Sequence, residues 1–361
     1  MDLLEEARQI INEVDAEMAK LFVRRMDAVK MVAEYKQAHG MPVLDATREE
    51  QVVRRGAARV EDDELRAYYV NFIRNNMEIS RNYQHKLLEG MKVAFCGTEG
   101  AFAHIATNKL FPTAQKVAHR DFVSAYRAVE AGECDVAVLP VENSYNGEVG
   151  QVTDLMFSGS LYINQMFDLA VSHDLLVVPG TNRADIRTVI SHPQALGQCA
   201  EYIHNAGWLT QEYSNTALAA KYVAQTGDRS VAAIASEEAA EVFGLEVMER
   251  NINASRSNTT RFAVFSRAEN LQSTGQMGEH FVLVFTVKNE AGSLARAIDV
   301  IGYHGFNMRT LRSRPMKELL WQYYFYIEAE GNIHTSAGRE MMQELETFCD
   351  RLKLVGTYAK V

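Results

Sequence analysis

Apolar positions recur at helical spacing through the first 89 residues of the chain. Residues 2–38 contain neither proline nor glycine, and we expect one long helix there, ended by the Gly-Met-Pro run at 40–42. The same spacing predicts a second helix over about 46–59 and a third over about 63–89. Residues 1–90 are therefore predicted to form an all-helical domain.

The pattern changes abruptly after residue 90. Short apolar runs alternate with helical stretches, which is typical of an α/β fold, and the runs lie at 92–95, 135–139, 175–178, 188–190, 231–234 and 262–265. A polar stretch at 268–279 predicts a linker. The segment 280–361 then gives the order strand, helix, strand, strand, helix, strand, which is the ferredoxin-like α+β arrangement. We therefore predict a multidomain chain, with an α/β domain over 91–267 and an α+β domain over 280–361.

Length and charge narrow the class of protein. The chain has 361 residues and a formal net charge of −10, which suits two or three globular domains and disfavours a nucleic-acid partner. Its four cysteines are far apart and form no CxxC pair, so neither a zinc knuckle nor a disulfide framework is expected. No basic, apolar leader and no apolar run of roughly 18 residues is present. We expect a soluble cytoplasmic protein without a membrane partner.

Charged residues interrupt the apolar stripe of the first helix. Steps of three and four residues give six apolar and four charged positions: Leu4, Arg8, Ile11, Asp15, Met18, Phe22, Arg25, Val29, Val32 and Lys36. Such charges must be paired or must face a ligand, because burying them alone is costly. One interpretation is a ladder of ion pairs, or arginine stems that lie along the surface. The other is an anion-binding site.

The length of the first helix favours the second interpretation. A helix of 37 residues is about 55 Å long, and two shorter helices cannot cover it, so pairing with a second copy is expected. Arg8 and Arg25 are about 26 Å apart along the axis. In an antiparallel dimer, however, Arg8 of one chain can approach Arg25 and Lys36 of the other. The third helix adds two polar groups one turn apart, Ser80 and Gln84.

Several positions of the helical segment together follow one pattern: Arg8, Val14-Asp15, Arg24-Arg25, Lys36, Pro42-Val43-x-Asp45-x-x-Arg48-Glu49 and Ser80-x-x-x-Gln84. With this pattern, residues 1–89 resemble the all-helical chorismate mutases. The resemblance implies a pericyclic Claisen rearrangement of chorismate to prephenate, which needs no nucleophile, metal or cofactor. Catalysis then consists of holding the reactive conformer and stabilising charge on the ether oxygen.

The resemblance also implies roles for these side chains. Carboxylates of the substrate would be bound or supported by Arg8 of the partner subunit, Arg25, Arg48 and Ser80. The ether oxygen would accept hydrogen bonds from Lys36 and Gln84, and the ring hydroxyl would be faced by Asp45 and Glu49.

In the middle segment, several predicted strands end in small polar residues. These ends lie at 97–104, 140–147, 191–194 and 214–216. In open α/β sheets such positions form anion sites, although each could equally be a helix cap. His104, His173 and His192 lack metal-ligand spacing, and no metal is expected. Ser191, His192 and Asp174 could suggest a hydrolase triad, but the sequence has no GxSxG elbow.

The strongest local motif is Asn258-Thr259-Thr260-Arg261-Phe262. Together with the polar strand ends, it makes residues 91–267 similar to prephenate dehydratases, which implies two lobes of the type II periplasmic-binding kind with a site between them. Thr260 would then act on the leaving hydroxyl of prephenate, and Arg261 would anchor a carboxylate or order the loop. Further substrate-binding candidates are Asn143, Ser144, His192 and Thr216. Ala101-Phe102-Ala103 replaces the family's Ser-Tyr-Ser, so that loop is not assigned a catalytic role.

The C-terminal segment resembles the ACT domains, which are amino-acid-binding regulatory modules. Two runs carry the resemblance, namely Ala291-Gly292-Ser293-Leu294 in place of Gly-Ala-Leu-Val, and Arg312-Ser313-Arg314-Pro315 in place of Glu-Ser-Arg-Pro. It implies side-by-side pairing and phenylalanine as the effector. The effector-binding candidates are Ala291, Gly292, Ser293, Leu294, Ser313, Arg314 and Pro315. Alternatively, Gly292 only makes a tight turn and Pro315 only ends a strand.

Together these features predict a bifunctional enzyme of phenylalanine biosynthesis. It would convert chorismate to prephenate and prephenate to phenylpyruvate, be inhibited by phenylalanine, and form a homodimer or a higher even oligomer without a cofactor. Two alternatives stay open, namely a dehydratase that accepts arogenate and a regulator that senses an amino acid without dehydrating anything.

Overall fold

Three helices form the first of the two units into which the computed structural model divides, Met1–Lys92 and Val93–Val361. The structure describes residues 2–254, 258–269, 279–316 and 322–359. The helices are α1 (Leu3–Ala38), α2 (Ala46–Ala57) and α3 (Asp63–Glu89), so the predicted helices are confirmed. Each begins after an aspartate whose carboxylate accepts first-turn N–H groups, and these caps are Asp2, Asp45 and Asp62.

Much of the long helix α1 is uncovered in the single chain. Ala33 is the only buried residue among those described in α1. Apolar side chains along its length are exposed, including Leu4, Ile11, Met18 and Phe22. An exposed apolar stripe of this length on a soluble helix is unusual unless another surface covers it. As expected from its length, α1 is therefore not covered by the two shorter helices of the same chain.

The next part of the chain, to residue 266, alternates strands and helices as predicted. In order these are β1 (Lys92–Cys96), α4 (Phe102–Leu110), β2 (Gln115–His119), α5 (Phe122–Glu130), β3 (Val136–Asn143), β4 (Gly147–Glu148), α6 (Gly150–Ser158), β5 (Tyr162–Ala170), β6 (Asp174–Val177), β7 (Thr188–Ser191), α7 (Pro193–Gln198), α8 (Ala200–Ala206), β8 (Leu209–Glu212), α9 (Thr216–Thr226), β9 (Val231–Ala235), α10 (Glu237–Phe243), β10 (Glu246–Glu249) and β11 (Thr259–Ser266).

These elements form two lobes, each built on its own sheet. In the first lobe the strand order is β5-β11-β3-β1-β2, with β4 paired to β3, and in the second it is β10-β6-β9-β7-β8. The chain enters the second lobe between β5 and β6 and returns between β10 and β11. The predicted two-lobed α/β arrangement is therefore present. Strand β11 lies between β3 and β5, antiparallel to both, so its residues reach the centre of the first lobe.

The remaining elements follow the predicted order. They are β12 (Glu279–Val287), α11 (Ser293–Tyr303), β13 (Asn307–Pro315), β14 (Tyr323–Glu330), α12 (Ser336–Glu346) and β15 (Cys349–Ala359). Their strand order, β13-β14-β12-β15, is ferredoxin-like. Of the predicted linker 268–279, residues 270–278 lie outside the described residues.

The C-terminal sheet continues the sheet of the first lobe. Strand β15 pairs in parallel with β5 at Gly356 and Ile163, which completes a ten-stranded sheet. Val282, Tyr324 and Val355 share one apolar core with residues of the first lobe. The sequence predicted an α+β domain after a linker but gave no sign of its packing, and the structure joins this domain to the first lobe through a common sheet and core.

Neither a membrane-spanning helix nor a cluster of metal-ligating side chains occurs among the described residues. No helix among them is long and apolar enough to cross a membrane. No group of three or more histidine, cysteine or acidic side chains in this part of the chain is arranged to hold a metal ion.

Two candidate active sites

Seven of the polar positions singled out in the helical segment line one pocket. The pocket has a volume of about 240 Å³ and an apolar floor that includes Val29, Val32 and Met77. The seven positions are Arg25, Lys36, Asp45, Arg48, Glu49, Ser80 and Gln84. They come from all three helices, so the site exists only once the helices have packed. Arg8 does not line this pocket.

Arg25 is held in place by the third helix. Its Nη1 group donates to the hydroxyl of Ser80 and, at 3.2 Å, to the carbonyl oxygen of Asn76. Partial burial lowers the pKa of this guanidinium. Ser80 Oγ also donates to Asn76 O at 2.7 Å. Among the described residues no carboxylate is bonded to Arg25, and a cation fixed in this way in a partly apolar pocket is suited to bind an anionic ligand.

Lys36 and Gln84 supply two further donors to the pocket. The ammonium group of Lys36 donates to the carbonyl oxygen of Val43. Gln84 is buried, at 7% exposure, and its Nε2 group makes only a long contact of 3.4 Å with Ser80 O. Its Oε1 atom is buried and, among the described residues, has no hydrogen-bond partner. An incompletely bonded buried amide is a feature that a polar ligand can satisfy.

Both acidic residues of the pocket accept hydrogen bonds from other residues of the helical unit. Asp45 caps α2 through a 2.9 Å hydrogen bond from the backbone N–H of Arg48. Glu49 accepts two hydrogen bonds from Arg81, at 2.5 and 2.6 Å. Sequence reasoning missed Arg81 because it follows Ser80 directly and therefore lies off the Ser80–Gln84 stripe. The only sequence signal was its position next to that stripe.

In the first lobe, Thr260 and Asn143 are cross-strand partners on β11 and β3. Asn143 Nδ2 donates to Thr260 Oγ1 at 2.9 Å and to Asn258 Oδ1 at 2.8 Å. Asn143 Oδ1 accepts from the backbone N–H groups of Tyr145 and Asn146, at 3.0 and 2.9 Å, which fixes the orientation of the amide. Because Thr260 Oγ1 accepts from Asn143, its own hydrogen is available to a ligand.

Ser144 and Arg261 hold the strands around Thr260. The Ser144 hydroxyl accepts from the backbone N–H of Thr259 at 2.9 Å. Arg261 donates to Asp168 at 2.8 and 3.3 Å and lies 3.8 Å from a carboxylate oxygen of Glu328. The hydrogen bond to Asp168 is the main reason that the pKa of Arg261 is raised. Successive strand residues point to opposite faces, so Arg261 and Thr260 point away from each other.

His192 and Thr216 belong to the second lobe. His192 caps α7, where its Nδ1 atom accepts from the N–H of Gln194 at 3.3 Å, and Thr216 is the first residue of α9. Within the described ranges, no hydrogen bond joins either of them to Thr260. The cap alternative thus describes the local role of His192.

The hydrolase triad does not form. Ser191 is fully buried, and its hydroxyl donates to the carbonyl oxygen of Ile234 at 2.6 Å. Asp174 accepts from the Ser172 hydroxyl at 3.1 Å and from the backbone N–H of Asn251 at 2.7 Å. The triad interpretation is therefore wrong, because the would-be nucleophile has no access to a substrate.

Gln198 is a candidate site residue that sequence reasoning missed. It lies at the end of α7, is 8% exposed, and its Oε1 atom accepts from Asn258 Nδ2 at 2.9 Å. Asn258 in turn accepts from Asn143, so Gln198 is linked to Thr260 through two asparagines. The available sequence signal was a lone amide between the apolar residues Leu196 and Cys199.

The two runs assigned to an effector lie at the start of α11 and on β13. Gly292 precedes α11 with φ of 88°, a left-handed conformation that favours glycine. Arg314 donates to Asp154 at 2.9 Å, and Arg312 donates to Glu142 at 2.5 Å. Ser313 lies on the other, exposed face of β13. The arginines of this run are thus bonded to the first lobe, and Ser313 and Pro315 are accessible; Ala291 is also exposed, and Ser293 and Leu294 are half-buried.

Two family models match the chain. The model of chorismate mutase type II matches residues 7–85, and the model of prephenate dehydratase matches residues 93–270. A bifunctional chorismate mutase/prephenate dehydratase of Enterobacter agglomerans is 30% identical over 97% of this chain and 94% of its own.

Solved structures also resemble the second unit. A prephenate dehydratase from Arthrobacter aurescens in complex with L-Phe is 26% identical with a TM-score of 0.69, and the match covers 75% of this chain and 90% of that one. A structure described as a quorum-quenching acylase, GqqA, is 30% identical with a TM-score of 0.69, over 75% of this chain and 98% of that one. On the two family models and the full-length relative, the chain belongs to the bifunctional chorismate mutase/prephenate dehydratase enzymes of phenylalanine biosynthesis.

Proposed function

We propose that the pocket of the helical unit is where chorismate is rearranged to prephenate. The observation that supports this most directly is the meeting of Arg25, Lys36 and Gln84 around one apolar floor. Arg25 and Arg48 bind the two carboxylates, and Ser80 holds Arg25. Lys36 and Gln84 donate to the ether oxygen, whose negative charge grows as the C–O bond breaks, and this stabilises the transition state more than the substrate.

The roles of the two acidic residues differ in this proposal. Glu49 faces the ring hydroxyl while Arg81 neutralises its charge, so that a dianionic substrate is not repelled. Asp45 acts mainly through its cap, which fixes the first turn of α2 and hence Arg48.

The helical site is completed by a second copy of the chain. The exposed apolar stripe of α1 needs a covering surface, and an antiparallel copy would bring Arg8 of the partner subunit to the pocket. We therefore propose a homodimer, or a higher even oligomer, whose mutase site takes residues from two chains.

In the second unit, Thr260 acts on prephenate. The ring carboxylate leaves as carbon dioxide, its electron pair enters the ring, and the ring hydroxyl leaves as water after taking up a proton that solvent supplies. Thr260 donates a hydrogen bond to that hydroxyl, because Asn143 occupies its acceptor side. Ser144 and Arg261 order the strands that carry Asn143 and Thr260, and this is the role we assign to Arg261 in place of carboxylate binding.

His192 and Thr216 are placed by this proposal on the opposite wall of the substrate site. His192 stands at the start of α7 and Thr216 at the start of α9, and we assign anion binding to their side chains together with the first N–H groups of α9. Closure of the lobes would bring them to the carboxylates of prephenate.

The C-terminal part acts as an ACT domain that binds phenylalanine. In this proposal the amino acid binds at the left-handed turn of Gly292 and on the exposed face of β13, which carries Ser313 and Pro315. The related dehydratase bound to L-Phe supports this effector. We further propose the division 1–90, 91–267 and 280–361 for the three functional regions, and a cytoplasmic location.

One assay tests both activities. Chorismate is supplied in one reaction and prephenate in a parallel one, the formation of prephenate and phenylpyruvate is followed, and L-Phe is titrated into a further series. Lys36→Ala should abolish the first step and spare the second, and Thr260→Ala should do the reverse. Equal losses of both steps in either variant would contradict separate sites. Arogenate in place of prephenate tests the alternative substrate, and loss of chorismate without phenylpyruvate would favour the regulator.

Mixing two inactive variants tests the shared mutase site. Arg8→Ala and Lys36→Ala chains are denatured together and refolded. If the site takes Arg8 and Lys36 from different chains, hybrid dimers have one intact site of two, and the mixture should regain about a quarter of wild-type mutase activity. No regain would place both residues in the same chain's site.

A further inference from the structure

His173 lies in the first of the two segments that join the lobes and takes no part in the sites described above. Its side chain is 4% exposed, and its ring packs edge-on against Phe102 with centroids 5.7 Å apart. Burial is the main cause that lowers the pKa of this imidazole, so it is neutral near pH 7. Its Nδ1 atom is buried and has no hydrogen-bond partner in the part of the chain that the structure describes.

The other ring nitrogen has a defined partner. Nε2 of His173 lies 2.9 Å from Gln198 Oε1. An amide oxygen can only accept, so Nε2 carries the hydrogen and donates it. The tautomer of His173 is thereby set, and the orientation of the Gln198 amide with it.

This contact ends a chain of amides that leads to Thr260. Gln198 Oε1 accepts from both His173 and Asn258, and Asn258 accepts from Asn143, which donates to Thr260. Each of the three amide oxygens in this series of hydrogen bonds, on Gln198, Asn258 and Asn143, accepts at least one hydrogen bond. Within the described ranges, no hydrogen bond engages the Nε2 group of Gln198 and none is donated by the Thr260 hydroxyl, so both of these groups can donate to a ligand.

We propose that His173 is a positioning residue for the dehydration of prephenate. It holds Gln198 with its oxygen toward Asn258 and its NH₂ group free for the substrate. Without this second donor, only Asn258 restrains the Gln198 oxygen, and the amide can rotate away from the orientation in which it serves both the chain and the substrate. This inference rests on the proposed role of Thr260.

Two substitutions separate the hydrogen bond from packing. His173→Phe keeps a planar ring against Phe102 but removes the donor, whereas His173→Gln restores an N–H donor. We expect His173→Phe to lower kcat on prephenate by about 10- to 100-fold with a smaller change in KM. His173→Gln should recover most of that loss. His280→Phe is the matched control, because His280 is equally buried, stacks on Tyr358, and lies outside the amide chain.

The full-length chain provides an internal reference. Chorismate mutase activity of each preparation should match wild type, and near-ultraviolet circular dichroism should show a folded second unit. Wild-type kcat in His173→Phe would overturn the inference, as would equal losses in His173→Phe and His173→Gln, which would make the role structural. If Thr260→Ala also kept its dehydratase activity, the proposed site itself would be wrong, and the two failures are thus distinguishable.

Discussion

Arg312 of β13 donates a 2.5 Å hydrogen bond to the carboxylate of Glu142, the residue that precedes Asn143 on β3. Burial works against the charge of Arg312, but the bond and charge of Glu142 outweigh it, and the pKa of the guanidinium is raised. The strand assigned to the effector is therefore bonded to the strand that orients Thr260. This ion pair therefore joins the C-terminal sheet to the first lobe.

Loss of that ion pair should weaken inhibition by phenylalanine. In Arg312→Met, the hydrogen bond from β13 to Glu142 is lost. A conformational change of β13 on effector binding is then transmitted less strongly to Asn143. We expect the concentration of L-Phe that halves dehydratase activity to rise at least about fivefold. Arg309→Met is the control, because the one partner of Arg309 in the described part of the chain is Glu330, which lies within the C-terminal sheet. Equal sensitivity of wild type and Arg312→Met would contradict this route.

Replacement of Arg81 should weaken binding of chorismate. In Arg81→Met, Glu49 keeps its negative charge at the pocket without its partner, and it then repels the carboxylates of the substrate. We expect KM for chorismate to rise about tenfold, equivalent to about 1.4 kcal/mol, with dehydratase activity unchanged. Arg74→Met on the exposed face of the same helix should leave both activities at wild-type values. Steady-state kinetics on both substrates decide the matter.

The sequence was most informative where a local pattern determines the structure. The helix ends follow from aspartate caps and the Gly-Met-Pro run, and the seven pocket residues follow from helical spacing combined with family resemblance. These features depend on neighbours three or four residues away. The order of the C-terminal elements was likewise readable from alternating apolar runs.

What was missed depends on contacts between distant segments. Strand β5 has the sequence Tyr-Ile-Asn-Gln-Met-Phe-Asp-Leu-Ala, in which apolar and polar residues do not alternate regularly. Its strand conformation is set mainly by pairing with β11, which is distant in sequence. Its second neighbour, β15, lies almost two hundred residues along the chain. Gln198 and Arg81 had no motif, and the commitment of Arg314 to Asp154 depends on the packing of β13 on the first lobe.

Acid should destabilise the second unit through His173. Its pKa is lowered in the folded chain, so the unfolded state binds more protons below its own pKa of about 6.5. Stability is fully present above that value and falls with decreasing pH, by up to about 1.4 kcal/mol per pH unit for this one group. Both tryptophans lie after residue 92, so tryptophan fluorescence during denaturation reports this unit. His173→Gln should show a shallower decline, and parallel declines would contradict the assignment.

Gly356 should be essential to the joint between the C-terminal sheet and the first lobe. A Cβ atom there would lie 2.1 Å from the carbonyl oxygen of Ile163, and φ of 152° is itself unfavourable for other residues. Because the contact is with backbone, no side-chain rotation relieves it, and Gly356→Ala should cost about 2–3 kcal/mol of unfolding free energy. Gly302→Ala, in α11 with open space around its Cβ position, should be neutral or slightly stabilising. Denaturant unfolding followed by tryptophan fluorescence measures both variants. A wild-type midpoint for Gly356→Ala would mean that β15 and β5 do not approach this closely.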